Sequence, residues 1–220
     1  MVEKTKLLIL RLVPGLLLLA GSVLVGGFTV AAESRLPPED SRVTWLRANA
    51  IPLRSVAPDD EDFTDLQRFR AAIGDARVVV LGEASHSDGT TFLAKTRLVR
   101  FLHREMGFDV LAFESGLYDC WKAARRIEAG EDPSVAFRES VFAIWTRSKQ
   151  VQPLIDYFAA TSSTTKPITL TGFDSQFTGE MSERYLLADL TQIAATVGLP
   201  AEGMESTNRG AAHQRGSRSL

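Results

Sequence analysis

Three short apolar runs in this chain each close on an acidic residue, and long amphipathic stretches separate them. Val78-Val79-Val80-Leu81 leads through Gly82 to Glu83, Asp109 to Phe113 (DVLAF) leads to Glu114, and Ile168 to Phe173 (ITLTGF) leads to Asp174. Short β-branched runs without alternation are what strands buried in a parallel sheet look like. Between the first two, Thr91 to Met106 places Phe92, Val99, Leu102 and Met106 on one face of a helix, and Gly107 stops it. Asp65 to Ala72 (ended by Gly74), Tyr118 to Glu128 (ended by Gly130), one or two stretches within 133–160 including Val151 to Ala160, and Glu183 to Val197 read as further helices. Strands alternating with helices predict βαβ units, hence an α/β fold with a mainly parallel sheet and helices on both faces.

In such a sheet, binding and catalysis occur where the carboxyl ends of the strands meet the loops. That edge would receive Glu83, Glu114 and Asp174 together. Carboxylates crowded at one place raise one another's pKa, which lets one of them carry a proton. His86 follows Glu83 by three residues, in the loop GEASHSDGTT, with a ring suited to general base work near neutral pH. Gly82, Gly89, Ser85, Ser87, Thr90 and Thr91 make a tight polar turn into a helix whose first N–H groups could hold a developing oxyanion. Taken singly, each acid also reads as a helix cap or as the buried partner of a base, and the histidine as a solvated loop residue. Their coincidence at one edge favours a site formed by Glu83, His86 and Glu114, with Asp174 as a further candidate.

Other residues are more ambiguous. Lys95 lies about two turns into the first long helix, followed by Arg97 and Arg100. Helical lysines and arginines are usually solvated, which leaves Lys95 as a candidate site cation beside a surface reading. Tyr118 and Trp121 could line an apolar pocket next to Glu114 or simply belong to the core. Cys120 is the single cysteine, so it forms no internal disulfide and no CxxC metal spacing; a small buried residue is expected.

The chain of 220 residues is 45% hydrophobic, enough for one domain with a real core. A formal net charge of −2, with mixed signs throughout, excludes the basic face that nucleic acid requires. Lys4, Lys6 and Arg11 precede an uncharged apolar run from Leu12 to Ala32 ending in Val30-Ala31-Ala32. That pattern predicts an export signal or, uncleaved, a membrane anchor over 1–32, outside the fold. A periplasmic or extracellular location follows, with membrane contact through that segment alone. Residues 33–62 carry Pro37, Pro38, Pro52, Pro58 and the acidic run Asp59 to Asp62, and read as an extended lead-in with one short helix around Val43 to Ala48. The α/β domain is expected over 63–201. Residues 202–220 hold almost no large apolar side chain, which predicts a disordered tail. Three strands are few against a usual sheet of about five or six. The domain therefore reads as a shortened form of something larger, and the tail is consistent with a frameshift or premature end.

Residues 81–116, LGEASHSDGTTFLAKTRLVRFLHREMGFDVLAFESG, resemble the opening signature of the erythromycin esterase family. There a strand ends in Gly-Glu-x-x-His, a basic helix follows, and a second strand ends in Phe-Glu-x-Gly. VFAIW (141–145) and TGFDSQ (171–176) resemble the family's next strand and loops, so that the similarity runs over 77–178. The resemblance implies an α/β hydrolase without metal or cofactor, in which His86 activates water against an ester or lactone carbonyl. Glu83 and Glu114 would orient or polarise the histidine and the water, and Lys95 would contact substrate or oxyanion. The implied partner is a small-molecule ester or lactone; family members that open macrolides confer antibiotic resistance. The family is longer, and its later half supplies further histidines, which neither His103 nor His213 matches. An export signal is also foreign to an intracellular macrolide-inactivating enzyme. Two other readings stand beside this one: a metal-dependent hydrolase using Glu83, His86 and Glu114 as ligands without an HExxH helix, and a shortened, non-catalytic binding fragment.

Overall fold

The structure is a computed structural model that describes residues 7–9, 41–83, 85–86 and 88–200. The expectations for the rest of the N-terminal signal, for the first part of the lead-in and for the tail after 201 lie outside the described residues. Four parallel strands form one sheet in the order β2-β1-β3-β4. They are β1 (Leu7–Ile9), β2 (Val78–Val80), β3 (Val110–Gly116) and β4 (Thr169–Asp174). The helices are α1 (Ser41–Asn49), α2 (Gln67–Ile73), α3 (Gly89–Met106), α4 (Leu117–Glu128), α5 (Pro133–Ser140), α6 (Ala143–Thr146), α7 (Gln152–Thr161) and α8 (Glu180–Thr196). The α/β class and the parallel sheet are as the sequence predicts. Among the described residues no helix is long and apolar enough to cross a membrane.

The helix ends follow local chemistry. Asp88 accepts from the N–H of Thr91 at 3.1 Å and starts α3, and Gly107, with φ of 69°, ends it in the left-handed region that glycine enters without strain. Asp132 caps α5 through the N–H of Ser134 at 2.8 Å, with Pro133 in the first turn. The core is built from Phe101, Leu102, Leu111, Phe113, Phe137 and Leu154, all fully buried, with Phe137 between the rings of Phe113 and Phe158. Cys120 is buried there, as expected.

Several expectations need correction. The run Val78 to Leu81 is not buried on both faces: Val79 is 8% exposed, but Val78 and Val80, which share the other face of β2, are 45% and 52% exposed. Residues 133–160 are helical as expected, and VFAIW runs from the end of α5 into α6. The fourth strand, Leu7–Ile9, comes from the stretch that the sequence reading set outside the fold, and it pairs with both β2 and β3.

Arg97 and Arg100 are not solvated. Arg97 is 1% exposed, and its two terminal nitrogens donate to the two oxygens of Asp65 at 2.9 and 2.6 Å. The same guanidinium donates to the carbonyls of Ser55 and Asp62. Arg100 donates to the carbonyl of Pro58 and, with Arg104, to Glu61. The described part of the lead-in is thus strapped along α3 by arginines that neutralise its acids, and Arg97 holds the Asp65 carboxyl down to a pKa of about 2.

His103, on the last turn of α3, ties the helix to the segment before β4. Its Nε2 donates to the carbonyl of Lys166 at 2.9 Å, which leaves Nδ1 to accept from the Tyr157 hydroxyl at 2.7 Å. Burial pushes its pKa below the ordinary imidazole range. The unfolded chain then binds a proton that the folded chain refuses, so stability must rise with pH across a window lying at and below about 6.5. Urea midpoints measured on either side of that window should show the slope. In His103→Gln the slope should shrink; an unchanged slope would assign the effect to other groups.

Candidate active site

The chain leaves β2 through buried Leu81 and exposed Gly82, and the next side chain, Glu83, turns inward with only 3% of its side chain exposed. A carboxylate so placed needs partners on both oxygens. Oε2 accepts from Lys95 Nζ at 2.9 Å, and Oε1 meets His86 Nδ1 at 2.8 Å. Lys95 reaches it because it lies on the inward stripe of α3 between Phe92 and Val99. Its residue exposure is 4%, and its ammonium sits 4.7 Å from the Phe92 ring centroid. The surface reading of Lys95 therefore fails, and its charge is committed to Glu83.

An ionised carboxylate only accepts hydrogen bonds, so His86 Nδ1 carries the ring proton and Nε2 keeps its lone pair. The His86 side chain is 39% exposed. Its ring meets the Trp145 indole edge-to-face, with centroids 4.6 Å apart and an interplanar angle of 73°. Trp145 leans in turn on Phe92 at 5.1 Å. Trp145 did not figure among the sequence candidates, although it closes the VFAIW segment, where an aromatic residue inside a matched motif was the available signal.

Glu114 stands across the sheet. Val78 and Val110 both pair with Leu7, so β2 and β3 are level with one strand between them. Glu83 and Glu114 follow those levels by five and four residues, past the last pairing of β1 at Ile9. Two strand spacings put their backbones roughly 10 Å apart at the same edge. The structure thus joins Glu83 to His86 directly, and brings Glu114, half-buried, to the same edge from the far side. Asp174 is on the next strand, opposite Gly116, where its Oδ1 closes a turn by accepting from the N–H of Gln176 at 2.9 Å.

Tyr118 and Trp121 have other partners. The Tyr118 hydroxyl donates to Asp189 of α8 at 2.7 Å, beside Lys122, and burial raises its pKa. Trp121 is 47% exposed and packs on Tyr118. Burial pushes the Cys120 thiol up to about 12, which removes it as a nucleophile near neutral pH. Among the described residues no three His, Cys, Asp or Glu side chains converge on a metal-sized gap. An apolar cavity of about 530 Å³ adjoins the site, with Phe69, Ile73, Val79, Leu81 and Ala94 in its wall and Lys95 at its polar end.

The family model of the erythromycin esterases matches residues 103–214, half of the chain. The match takes in Glu114, Tyr118, Trp121 and Asp174, and begins after Glu83, His86 and Lys95. A Bacillus subtilis (strain 168) protein named "Putative hydrolase YbfO" is 33% identical over 132 residues, which are 60% of this chain and 28% of that protein. The erythromycin esterase type II of Escherichia coli is 42% identical over 72 residues, 33% of this chain and 17% of its own length. Among solved structures, a Bacillus cereus protein matches with a TM-score of 0.55 at 25% identity, covering 73% of this chain and 40% of that one. A succinoglycan biosynthesis protein matches with a TM-score of 0.59 at 25% identity, covering 79% and 43%. The chain therefore spans less than a third of the curated relatives it matches.

Proposed function

This chain belongs to the erythromycin esterase family, and on that basis we propose that it hydrolyses an ester or lactone by water attack, with His86 as the general base. One observation carries this reading: Glu83 holds His86 by Nδ1 while Lys95 holds Glu83 by its other oxygen. Nε2 then has the lone pair that takes a proton from water. As that O–H bond breaks, the water oxygen bonds to the carbonyl carbon and the carbonyl π pair moves onto its oxygen. Collapse expels the alkoxide, which recovers the proton from Nε2. The imidazolium formed in between is stabilised by the Glu83 carboxylate, the role that an acid plays behind a catalytic histidine.

Glu114, across the opening of the sheet edge, is suited to orienting the water. The first N–H groups of α3, beside His86 in the chain, are the donors best placed by topology to receive the oxyanion. Lys95 supports the reading through Glu83 rather than by touching substrate. The cavity beside it fits the apolar portion of a small-molecule ester, macrolide lactones included. Export through residues 1–32 is a separate proposal, and the pairing of Leu7–Ile9 with β2 and β3 speaks against it.

The test is hydrolysis of p-nitrophenyl esters and of erythromycin in H2(18)O. One labelled oxygen should appear in the product carboxylate, read by mass spectrometry, and the rate should not change with EDTA. An absence of product with every ester sinks the reading. Loss of activity to EDTA, restored by a divalent ion, would replace it with the metal-dependent one.

A further inference from the structure

A single hydrogen bond fixes one atom of an imidazole and leaves the ring free to swing about that bond. His86 is in that position: Glu83 holds Nδ1, the residue sits in a loop, and 39% of its side chain is exposed. A base needs its lone pair aimed as well as present, because misplacement by about 1 Å can cost about a hundredfold in rate. The second constraint is an aromatic plane. Trp145 is 4% exposed and meets the His86 ring edge-to-face at 4.6 Å.

We infer that Trp145 is a positioning residue for His86, its indole fixing the plane of the imidazole that Glu83 holds by one atom. This inference rests on the reading of His86 as the base.

The surroundings of Trp145 fit that role. The indole is wedged by Phe92, whose other contact is the Lys95 ammonium, so that Glu83, His86, Trp145, Phe92 and Lys95 form a closed circuit of contacts. The helix that carries it is anchored at the sheet edge: Ser115, fully buried next to Glu114, accepts the N–H of Phe142 on its Oγ at 2.8 Å. That bond starts α6 and thereby places Trp145 over the loop. The indole Nε1 is buried and, among the described residues, has no hydrogen-bond partner. An orphaned donor costs about 1–3 kcal/mol, which a phenylalanine in the same slot would avoid. Core packing alone does not account for an indole here.

The charged group bonded to His86 is Glu83, which Lys95 holds by its other oxygen. Trp145 meets the ring through its aromatic system rather than through charge, so the contact can be read separately from that pair. A protonated imidazole against an indole quenches its fluorescence. Trp45 and Trp121 are 63% and 47% exposed and can be replaced by phenylalanine to leave Trp145 as the sole emitter.

The experiment has two arms. In the Trp45→Phe, Trp121→Phe protein, Trp145 emission should change in intensity when His86→Asn takes away the imidazole that meets the indole. In the second arm, Trp145→Ala should lower kcat for ester hydrolysis about tenfold to a hundredfold with little change in KM, and Trp145→Phe should recover most of it without loss of stability. Emission that is indifferent to His86→Asn overturns the inference, even where Trp145→Ala fails to fold. A raised KM with kcat intact overturns it too, making Trp145 a wall of the binding site. Should the wild-type chain hydrolyse nothing, the function reading falls, and the emission arm still decides whether Trp145 holds His86.

Discussion

His86→Ala is expected to lower kcat/KM for ester hydrolysis by about a hundredfold to ten-thousandfold, the range that a positioned general base supplies. The side chain is 39% exposed and its hydrogen bond is to a carboxylate that Lys95 still neutralises. The fold should therefore survive, and circular dichroism should be unchanged. Glu83→Gln sharpens the test. A carboxamide can donate to Nδ1, which would move the ring proton to Nε2 and leave no lone pair toward water. Its loss should approach that of His86→Ala, although the ring remains. Full activity in either variant would remove His86 from the chemistry.

The largest loss of stability is expected at Arg97. Arg97→Ala leaves Asp65, 9% exposed in its side chain, as an uncompensated buried charge, and deprives the carbonyls of Ser55 and Asp62 of their donor. Breaking a buried pair in this way costs about 3–5 kcal/mol. The midpoint of urea unfolding should fall accordingly. Adding Asp65→Ala should recover part of the loss, since the stranded carboxylate is then gone; a double variant no better than Arg97→Ala would show that the carbonyl contacts dominate. The pH dependence has a definite sign. With its pKa lowered to about 2, Asp65 contributes stability that is fully present above the ordinary carboxylate range and lost as pH falls through about 2.

Much of this architecture is legible in the residues. The three acid-terminated strands are where the runs VVVL, DVLAF and ITLTGF place them, because short β-branched segments bounded by glycine and helical stretches have few alternatives. That Val78 and Val80 are exposed is not legible, since an apolar run does not tell which of its two faces the rest of the chain covers. Leu7–Ile9 is hidden for a related reason: three apolar residues flanked by Lys6 and Arg11 look like part of an export signal. The helices over 133–160 were legible too, but nothing local reveals that the Phe142 N–H, just before α6, is received by Ser115 of β3.

In the site, the Glu83–His86 pair follows from their spacing, whereas the role of Lys95 follows from a pattern that could have been read. Phe92, Lys95, Val99, Leu102 and Met106 recur at helical spacing, so one cation stands within an apolar stripe and has to find an anion inside. Arg97 points away from that stripe, and nothing local reveals that residues 54–65 fold back over it. The complementary charges of Asp59 to Asp62 and the arginines of α3 were the only hint.

The arginine strap also shows one place where this domain cannot be cut. A boundary drawn at residue 63, where the composition changes, would cut away Ser55, Pro58, Glu61 and Asp62 and strand the guanidiniums they receive. Lys95 is two residues from Arg97 on the same rigid helix, so slack introduced on the outer side is felt beside Glu83. Any minimal fragment meant to retain chemistry has to keep residues 54–62 and, with them, the strand Leu7–Ile9 that joins β2 to β3.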